Sequence, residues 1–336
     1  MIYHENGKLG QLSAIGLGCW NFGGQWNKVS EQDAIEIIRY AIDNGVNFVD
    51  VAESYGIPDG QCEQILGKAL KKGYRDKVFL ISKVGWFGRR ENNYFSSNPT
   101  IYTKFMRKVY NYLNNMKSVD LGEKTPDLVR LSGHACCGRL QTDHIDLLLC
   151  HESVPKAPMS YIKGFRQLRD EGFIRFYGIS TDSLSALRHF YELSDGECSA
   201  CECDYSLLNR KAEGGLFKFC SEHKIAIFTR GTLGRGLLSG KYDLQTVFQE
   251  ESRKSWNIGG RDRKQYELLI SKVNRLQTLF HTKYLSEIAY RFAFSRLEHP
   301  SVVVGCTSLE QIKENIKISS EYLFDDIMAV IEQQYN

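Results

Sequence analysis

The sequence predicts a (β/α)8 TIM barrel, and three observations carry that prediction. Eight short apolar, β-rich runs alternate with longer segments of helical period, the pattern of a parallel sheet with crossover helices. The chain has 336 residues, ordinary for one barrel of roughly 250 residues plus insertions. Ionisable residues stand at the C-terminal ends of three successive runs, on the side where the loops of such a barrel build active sites.

The elements follow in chain order. Gly7-Lys8-Leu9-Gly10 lies between two short extended pieces and reads as an N-terminal β-hairpin that plugs the N-terminal end of the barrel. Barrel strands are expected near 14–19, 47–51, 78–83, 145–150, 175–180, 200–206, 225–230 and 301–306. Helical spacing covers Glu31–Asn44, Gln61–Lys72, Pro158–Glu171, Ser183–Leu193, Arg210–His223, Tyr284–Arg296 and Leu309–Ile316. Ser30 is placed to cap the first helix and Gly45 to end it.

Two segments exceed ordinary loop length, near 86–124 and 242–263. The first is rich in Asn, Tyr, Lys and Arg, with a short helix expected around Thr103–Asn114, and the second is polar and charged. Loops this long in compact domains are commonly functional lids or disordered, and both follow strands at the catalytic end. They are therefore expected to govern substrate choice, as decorations on a single domain spanning residues 1–336.

Composition excludes several classes. Apolar residues at 42% and charged residues at 25% are ordinary globular values. A net charge of +3 is too small to imply nucleic acid. The first residues lack the pattern of a signal peptide, and no apolar stretch approaches the roughly 18 residues that span a bilayer. A soluble cytoplasmic protein is expected, with no membrane partner. Ten cysteines fit a reducing compartment as small hydrophobes. Cys198-Ser199-Ala200-Cys201-Glu202-Cys203 contains one CxxC, but no second pair accompanies it and the cluster opens a strand, so no metal site is expected.

Asp50-Val51-Ala52-Glu53-Ser54-Tyr55-Gly56 ends one apolar run, Lys83 ends the next, and His151 follows Ile145–Cys150. A phenol, with an ordinary pKa of about 10, needs a nearby cation to stabilise its phenolate, and Lys83 supplies one. Each residue alone has a plainer role: Asp50 as cap or turn, Tyr55 as core or rim, Lys83 as a solvated cation, His151 as a satisfied partner. Their joint placement on one face points to chemistry.

Seven segments, in order, resemble the aldo-keto reductase superfamily: Gly16-Leu17-Gly18-Cys19-Trp20, the D-x-A-x-x-Y-G segment, Ser82-Lys83-Val84, Asp146 to His151, Gly178-Ile179-Ser180, Leu233 to Lys241, and Gly305 to Asn315. The resemblance implies a barrel that binds NADP(H), less often NAD(H), and transfers hydride between nicotinamide and a carbonyl or alcohol carbon. It makes Tyr55 the proton donor, Lys83 the group that lowers its pKa, Asp50 the partner of Lys83, and His151 the group that orients the carbonyl. It places Ser180, Thr181 and Glu202 at the carboxamide, Thr181 standing for the usual Asn and Glu202 for the usual Gln. Arg230 replaces the aromatic residue that commonly stacks on the nicotinamide, and its charge is expected to favour the reduced cofactor. Gly231, Thr232, Leu233, Gly236 and Lys241 complete the cofactor set after the seventh strand. Gly305, Thr307, Gln311, Glu314 and Asn315 form the adenosine-phosphate end, where a helix N-terminus suits phosphate. Gly305 and Gln311 stand where many members carry Lys and Arg, and Lys241 with Arg253 is expected to supply that charge.

Trp20 and Trp86 occupy positions that commonly line the substrate pocket in this family, although either also suits rim packing. Arg89, Arg90, Lys104, Arg107 and Lys108 suggest an anionic substrate such as a sugar phosphate, or simply a solvated surface. Substrates implied are small carbonyl compounds or sugars. Two other functions remain open: a regulatory subunit resembling potassium-channel β subunits, and a sugar dehydrogenase working towards oxidation.

Overall fold

The computed structural model describes residues 1–24, 29–85, 125–250 and 252–334. An antiparallel hairpin opens the chain, β1 (Tyr3–Glu5) pairing with β2 (Gln11–Ser13). Eight parallel strands then close a barrel in chain order: β3 (Ile15–Gly18), β4 (Phe48–Asp50), β5 (Phe79–Val84), β6 (Ile145–Cys150), β7 (Ile174–Ser180), β8 (Ala200–Asp204), β9 (Ala226–Arg230) and β10 (Ser301–Gly305), with β10 returning to β3. This is a (β/α)8 TIM barrel, and every expected run yields one strand with ends agreeing within two residues.

Side chains along a strand alternate between the barrel interior and the surrounding helices. The inward row is apolar in the lower barrel, where Phe48, Phe79, Ile81, Leu147, Leu149 and Phe228 form one buried cluster. Leu9 and Leu12 of the hairpin join it, so the hairpin does plug the N-terminal end. Gly16 belongs to the same packing: a Cβ there would sit 2.2 Å from the Phe48 ring, which fills that space. Continued upward, the inward row becomes polar, passing from Phe48 to Asp50, from Ile81 to Lys83, and from Phe228 to Arg230.

The described helices are α1 (Glu31–Asp43), α2 (Gln61–Ala69), α3 (Pro126–Leu140), α4 (Pro158–Asp170), α5 (Leu184–Leu193), α6 (Leu216–Glu222), α7 (Arg263–Leu279), α8 (Ser286–Phe294), α9 (Leu309–Ile318) and α10 (Asp325–Gln334). Ser30 caps α1 by accepting from the Asp33 amide at 3.1 Å, and Gly45 follows its end with φ +95°. The helix expected over Arg210–His223 is broken: a 3-10 turn, Lys211–Glu213, precedes Gly214-Gly215, and α6 starts only after Gly215 at φ +119°. Helices α3, α7 and α10 were not among the expected elements. The inner face of α3 is Val129, Gly133, Cys136, Cys137 and Leu140, whose small residues weaken the apolar period but allow close packing on α4.

The second insertion is packed rather than loose. Tyr242, Phe248, Trp256 and Tyr266 converge, Trp256 stacking on Tyr266 at 5.3 Å, and the Arg253 guanidinium lies over Tyr242 and Phe248. Polarity of the segment concealed this, because a few well-spaced aromatics are enough to anchor it. The first insertion, 86–124, with Trp86, the helix expected around Thr103–Asn114 and the basic residues Arg89, Arg90, Lys104, Arg107 and Lys108, lies outside the described residues. Among the described residues no helix is long and apolar enough to cross a membrane.

Candidate active site

The mouth of the barrel is built from strand ends and the loops that leave them. Lys83, the last inward residue of β5, is fully buried and donates to both Asp50 oxygens at 2.6 and 2.5 Å. It also donates to the Val51 carbonyl at 3.3 Å and reaches the Tyr55 hydroxyl at 3.5 Å. Tyr55 is set by its loop: its amide donates to the Ala52 carbonyl and its own carbonyl accepts from Cys62 as α2 begins. The next residue, Gly56, lies against Gly23, where a Cβ would approach the Gly56 backbone at 2.2 Å. The His151 ring meets Tyr55 edge-on at 5.8 Å, and the Trp20 ring lies 6.4 Å away on another side. Asp50, Tyr55, Lys83 and His151 are thus brought together, with Trp20 beside them. Trp86 lies outside the described residues.

The charges are arranged differently from the expectation. Glu202, inward on β8 and almost fully buried, places one oxygen 3.2 Å from Lys83. Burial first, then the Glu202 carboxylate, push Asp50 up to about 8 against the pull of Lys83. Burial alone would lower the Lys83 ammonium, yet Asp50, Glu202 and Tyr55 together hold it above its ordinary value. Burial raises the Tyr55 phenol; Lys83 and Arg230 pull it down, while Asp50 and Glu202 push it further up. The anticipated acidic phenol is therefore not realised: one ammonium shared between two carboxylates cannot outweigh their charge and the loss of water. Tyr55 remains protonated, the form from which a proton can be given.

Arg230 is likewise not an isolated cation. Its guanidinium lies 3.3 Å from Asp182, 3.7 Å from Glu202 and 3.8 Å from Asp204. Three carboxylates offset the charge that was expected to favour a reduced cofactor, so that expectation loses its basis. Asp182 and Asp204 were missed in the sequence, although Asp204 continues the inward alternation Ala200, Glu202 and so could have been found. Glu53 was also missed. It is buried and accepts from the Gly85 amide at 2.5 Å, tying the loop after β4 to the end of β5.

Other expected residues divide. Ser180 ends β7 and is nearly buried, whereas the fully buried Thr181 donates its hydroxyl to the Ser153 carbonyl at 2.6 Å and accepts from the Ser183 amide. Thr181 therefore braces two loops and does not stand in for an amide facing the mouth. Gly231, Thr232, Leu233 and Gly236 form a turn with φ values of +72°, +57° and +90° at Gly231, Gly234 and Gly236. The Thr232 hydroxyl is buried there and has no hydrogen-bond partner among the described residues. Lys241 is exposed just beyond. Arg253 cannot serve as the expected phosphate cation, because it is buried in the second insertion and paired with Glu250 at 2.9 Å.

Gly305 ends β10 and is open. Ser308 caps α9, accepting from the Gln311 amide, and the Gln311 side-chain oxygen accepts from the Thr307 amide at 2.9 Å, leaving its NH2 group as donor. Asn315 is buried on α9 and Glu314 is exposed.

The profile of the Aldo/keto reductase family matches residues 14–336. Aldo-keto reductase YhdN of Bacillus subtilis is 30% identical over 300 residues, 88% of this chain and 80% of that protein. The NADH-specific methylglyoxal reductase of Escherichia coli is 28% identical over 316 residues, 91% and 89% of the two chains. In fold, the chain is similar to the glycerol dehydrogenase AKR11B4 of Gluconobacter oxydans, with a TM-score of 0.72 at 21% identity over 98% of this chain and 94% of that one.

Proposed function

This chain belongs to the aldo/keto reductase family of oxidoreductases, and from that premise we propose that it transfers hydride between a nicotinamide dinucleotide and an aldehyde, ketone or sugar, with Tyr55 as proton donor. The observation that carries the reading is the Tyr55 hydroxyl 3.5 Å from the buried Lys83 ammonium, with the His151 ring edge-on to the same phenol.

The residues present fit the cofactor. The Thr232 hydroxyl is a buried polar atom without a hydrogen-bond partner among the described residues, a group that a bound ligand would satisfy. Ser180 and Glu202 would hold the carboxamide, the Glu202 carboxylate accepting from its NH2. The turn from Gly231 to Gly236, Lys241, Thr307 and the start of α9 would hold the phosphates. A bound nicotinamide supplies the hydride chemistry. The chain's own part is orientation and proton transfer. As negative charge grows on the carbonyl oxygen, the protonated Tyr55 donates to it, and the Lys83 ammonium stabilises the phenolate left behind. His151 fixes the oxygen beside Tyr55. In alcohol oxidation the same groups act in reverse, with Tyr55 as base.

The preferred dinucleotide is proposed as NADP(H), with NAD(H) as the alternative, since an NADH-specific relative exists and Gly305 and Gln311 bring no positive charge to the phosphate end. Assays with aldehydes, ketones and sugars, followed by loss of NADPH or NADH absorbance, test the reading. Tyr55→Phe is expected to lose at least about a hundredfold in kcat while still binding the dinucleotide. Full activity in that variant would remove Tyr55 from the reaction.

A further inference from the structure

Two cations and four carboxylates meet where β4, β5, β8 and β9 end and β7 passes into its loop. Lys83 holds Asp50 at 2.5 Å and Glu202 at 3.2 Å, while the other Glu202 oxygen lies 3.7 Å from Arg230. Arg230 in turn reaches Asp182 at 3.3 Å and Asp204 at 3.8 Å. Glu202 is the bridge between the two cations, and it is almost fully buried. The set Asp50, Glu202, Asp182 and Asp204 against Lys83 and Arg230 is two charges negative. If the buried Asp50 holds a proton, it is still one charge negative. Arg235, the cation on the following turn, is exposed and donates to the Ser252 carbonyl.

A ring that exchanges hydride with the carbon whose oxygen Tyr55 serves has to lie beside Tyr55, and so beside this row of charges. The oxidised nicotinamide ring carries a positive charge and the reduced ring carries none. We propose that the carboxylate excess at the barrel mouth, with Glu202 as its buried determinant, binds the oxidised dinucleotide more tightly than the reduced one. This rests on the nicotinamide-dependent reading above and goes beyond it by assigning what Glu202 and its neighbours contribute. It loads the site for alcohol oxidation at low concentrations of oxidised cofactor. It also slows release of the oxidised product after carbonyl reduction.

Equilibrium titration of protein fluorescence with NADP+, NADPH, NAD+ and NADH separates this inference from its premise. In the wild type the oxidised member of the preferred pair is expected to bind tighter. Glu202→Gln should shift the ratio of oxidised to reduced dissociation constants by on the order of tenfold in favour of the reduced form, the effect of removing one buried charge beside the ring, partly offset by the neighbouring cations. Asp182→Asn, on a half-exposed side chain, should shift it the same way by about two- to threefold, because solvent screens it. If Glu202→Gln does not fold, Asp182→Asn alone decides. A wild type that prefers the reduced form, or a ratio unmoved by the substitutions, overturns the proposal. A folded wild type that binds none of the four dinucleotides overturns the oxidoreductase reading itself, and the proposal with it.

Discussion

Lys83 shows how much a single buried charge decides. It is fully buried, and Asp50 and Glu202 are both within reach of it, so the three side chains stand or fall together. Lys83→Met would leave Asp50 without its counter-ion and Glu202 with only Arg230, 3.7 Å away, and a loss of about 3–5 kcal/mol is expected, measured by urea denaturation. Asp50→Asn should cost clearly less, because Glu202 still neutralises the ammonium. A larger loss for Asp50→Asn would show that Glu202 does not share Lys83 in solution. Asp50, Tyr55, Lys83 and His151 were legible in the sequence as residues at strand ends. The sharing of Lys83 with Glu202, and the screening of Arg230 by Asp182 and Asp204, were not. Those contacts join residues from different strands, and their distances follow from barrel register.

Elements were legible where period and punctuation agreed. Ser30 and Gly45 bracket α1 as expected, and the runs at β4, β5 and β9 end where the inward residues turn polar, at Asp50, Lys83 and Arg230. Legibility failed where packing is made by small residues. Helix α3 lies against α4 through Gly133 and Gly164: a Cβ on Gly133 would come 2.4 Å from Leu168, and one on Gly164 would come 2.8 Å from the Pro126 carbonyl. No apolar stripe announces such a contact, because what it needs is the absence of side chains. Gly164→Ala gains about 1 kcal/mol of helix propensity but forces the helices apart, at a cost of about 1–3 kcal/mol. Net destabilisation is expected, read as a lower urea midpoint with an unchanged slope. A midpoint at or above the wild-type value would mean that the two helices separate without strain.

At the scale of the whole molecule, the hairpin ties the chain's beginning to its end. The buried His4 on β1 lies 6.0 Å from the Tyr322 ring and 5.1 Å from His299, and burial together with His299 lowers its pKa to about 4. An unfolded histidine titrates near 6.5, so between pH 6.5 and 4 the unfolded chain binds the proton that the folded chain refuses. The stability this ring contributes is present above pH 6.5 and is lost as pH falls towards 4, by up to about 3 kcal/mol. His4→Phe keeps an aromatic ring without a proton site, and its unfolding free energy should fall less steeply over that window. Equal slopes for the two proteins would show that His4 is not held neutral by the fold. The second insertion belongs to this scale too, since Trp256 and Phe248 pack on α7, far along the chain from the strand they follow.

The amino-acid sequence alone determined the barrel, because alternation within short apolar runs and helical spacing between them are local properties that survive without knowledge of contacts. It also determined which four residues gather at one face, since the ends of parallel strands share a side. Only the tertiary structure decided the electrostatics. Whether Tyr55 is acidic, and whether Arg230 acts as a free cation, depends on which carboxylates stand within 4 Å across strands. Charge interactions depend on distance and on exclusion of water, and neither exists until the barrel closes.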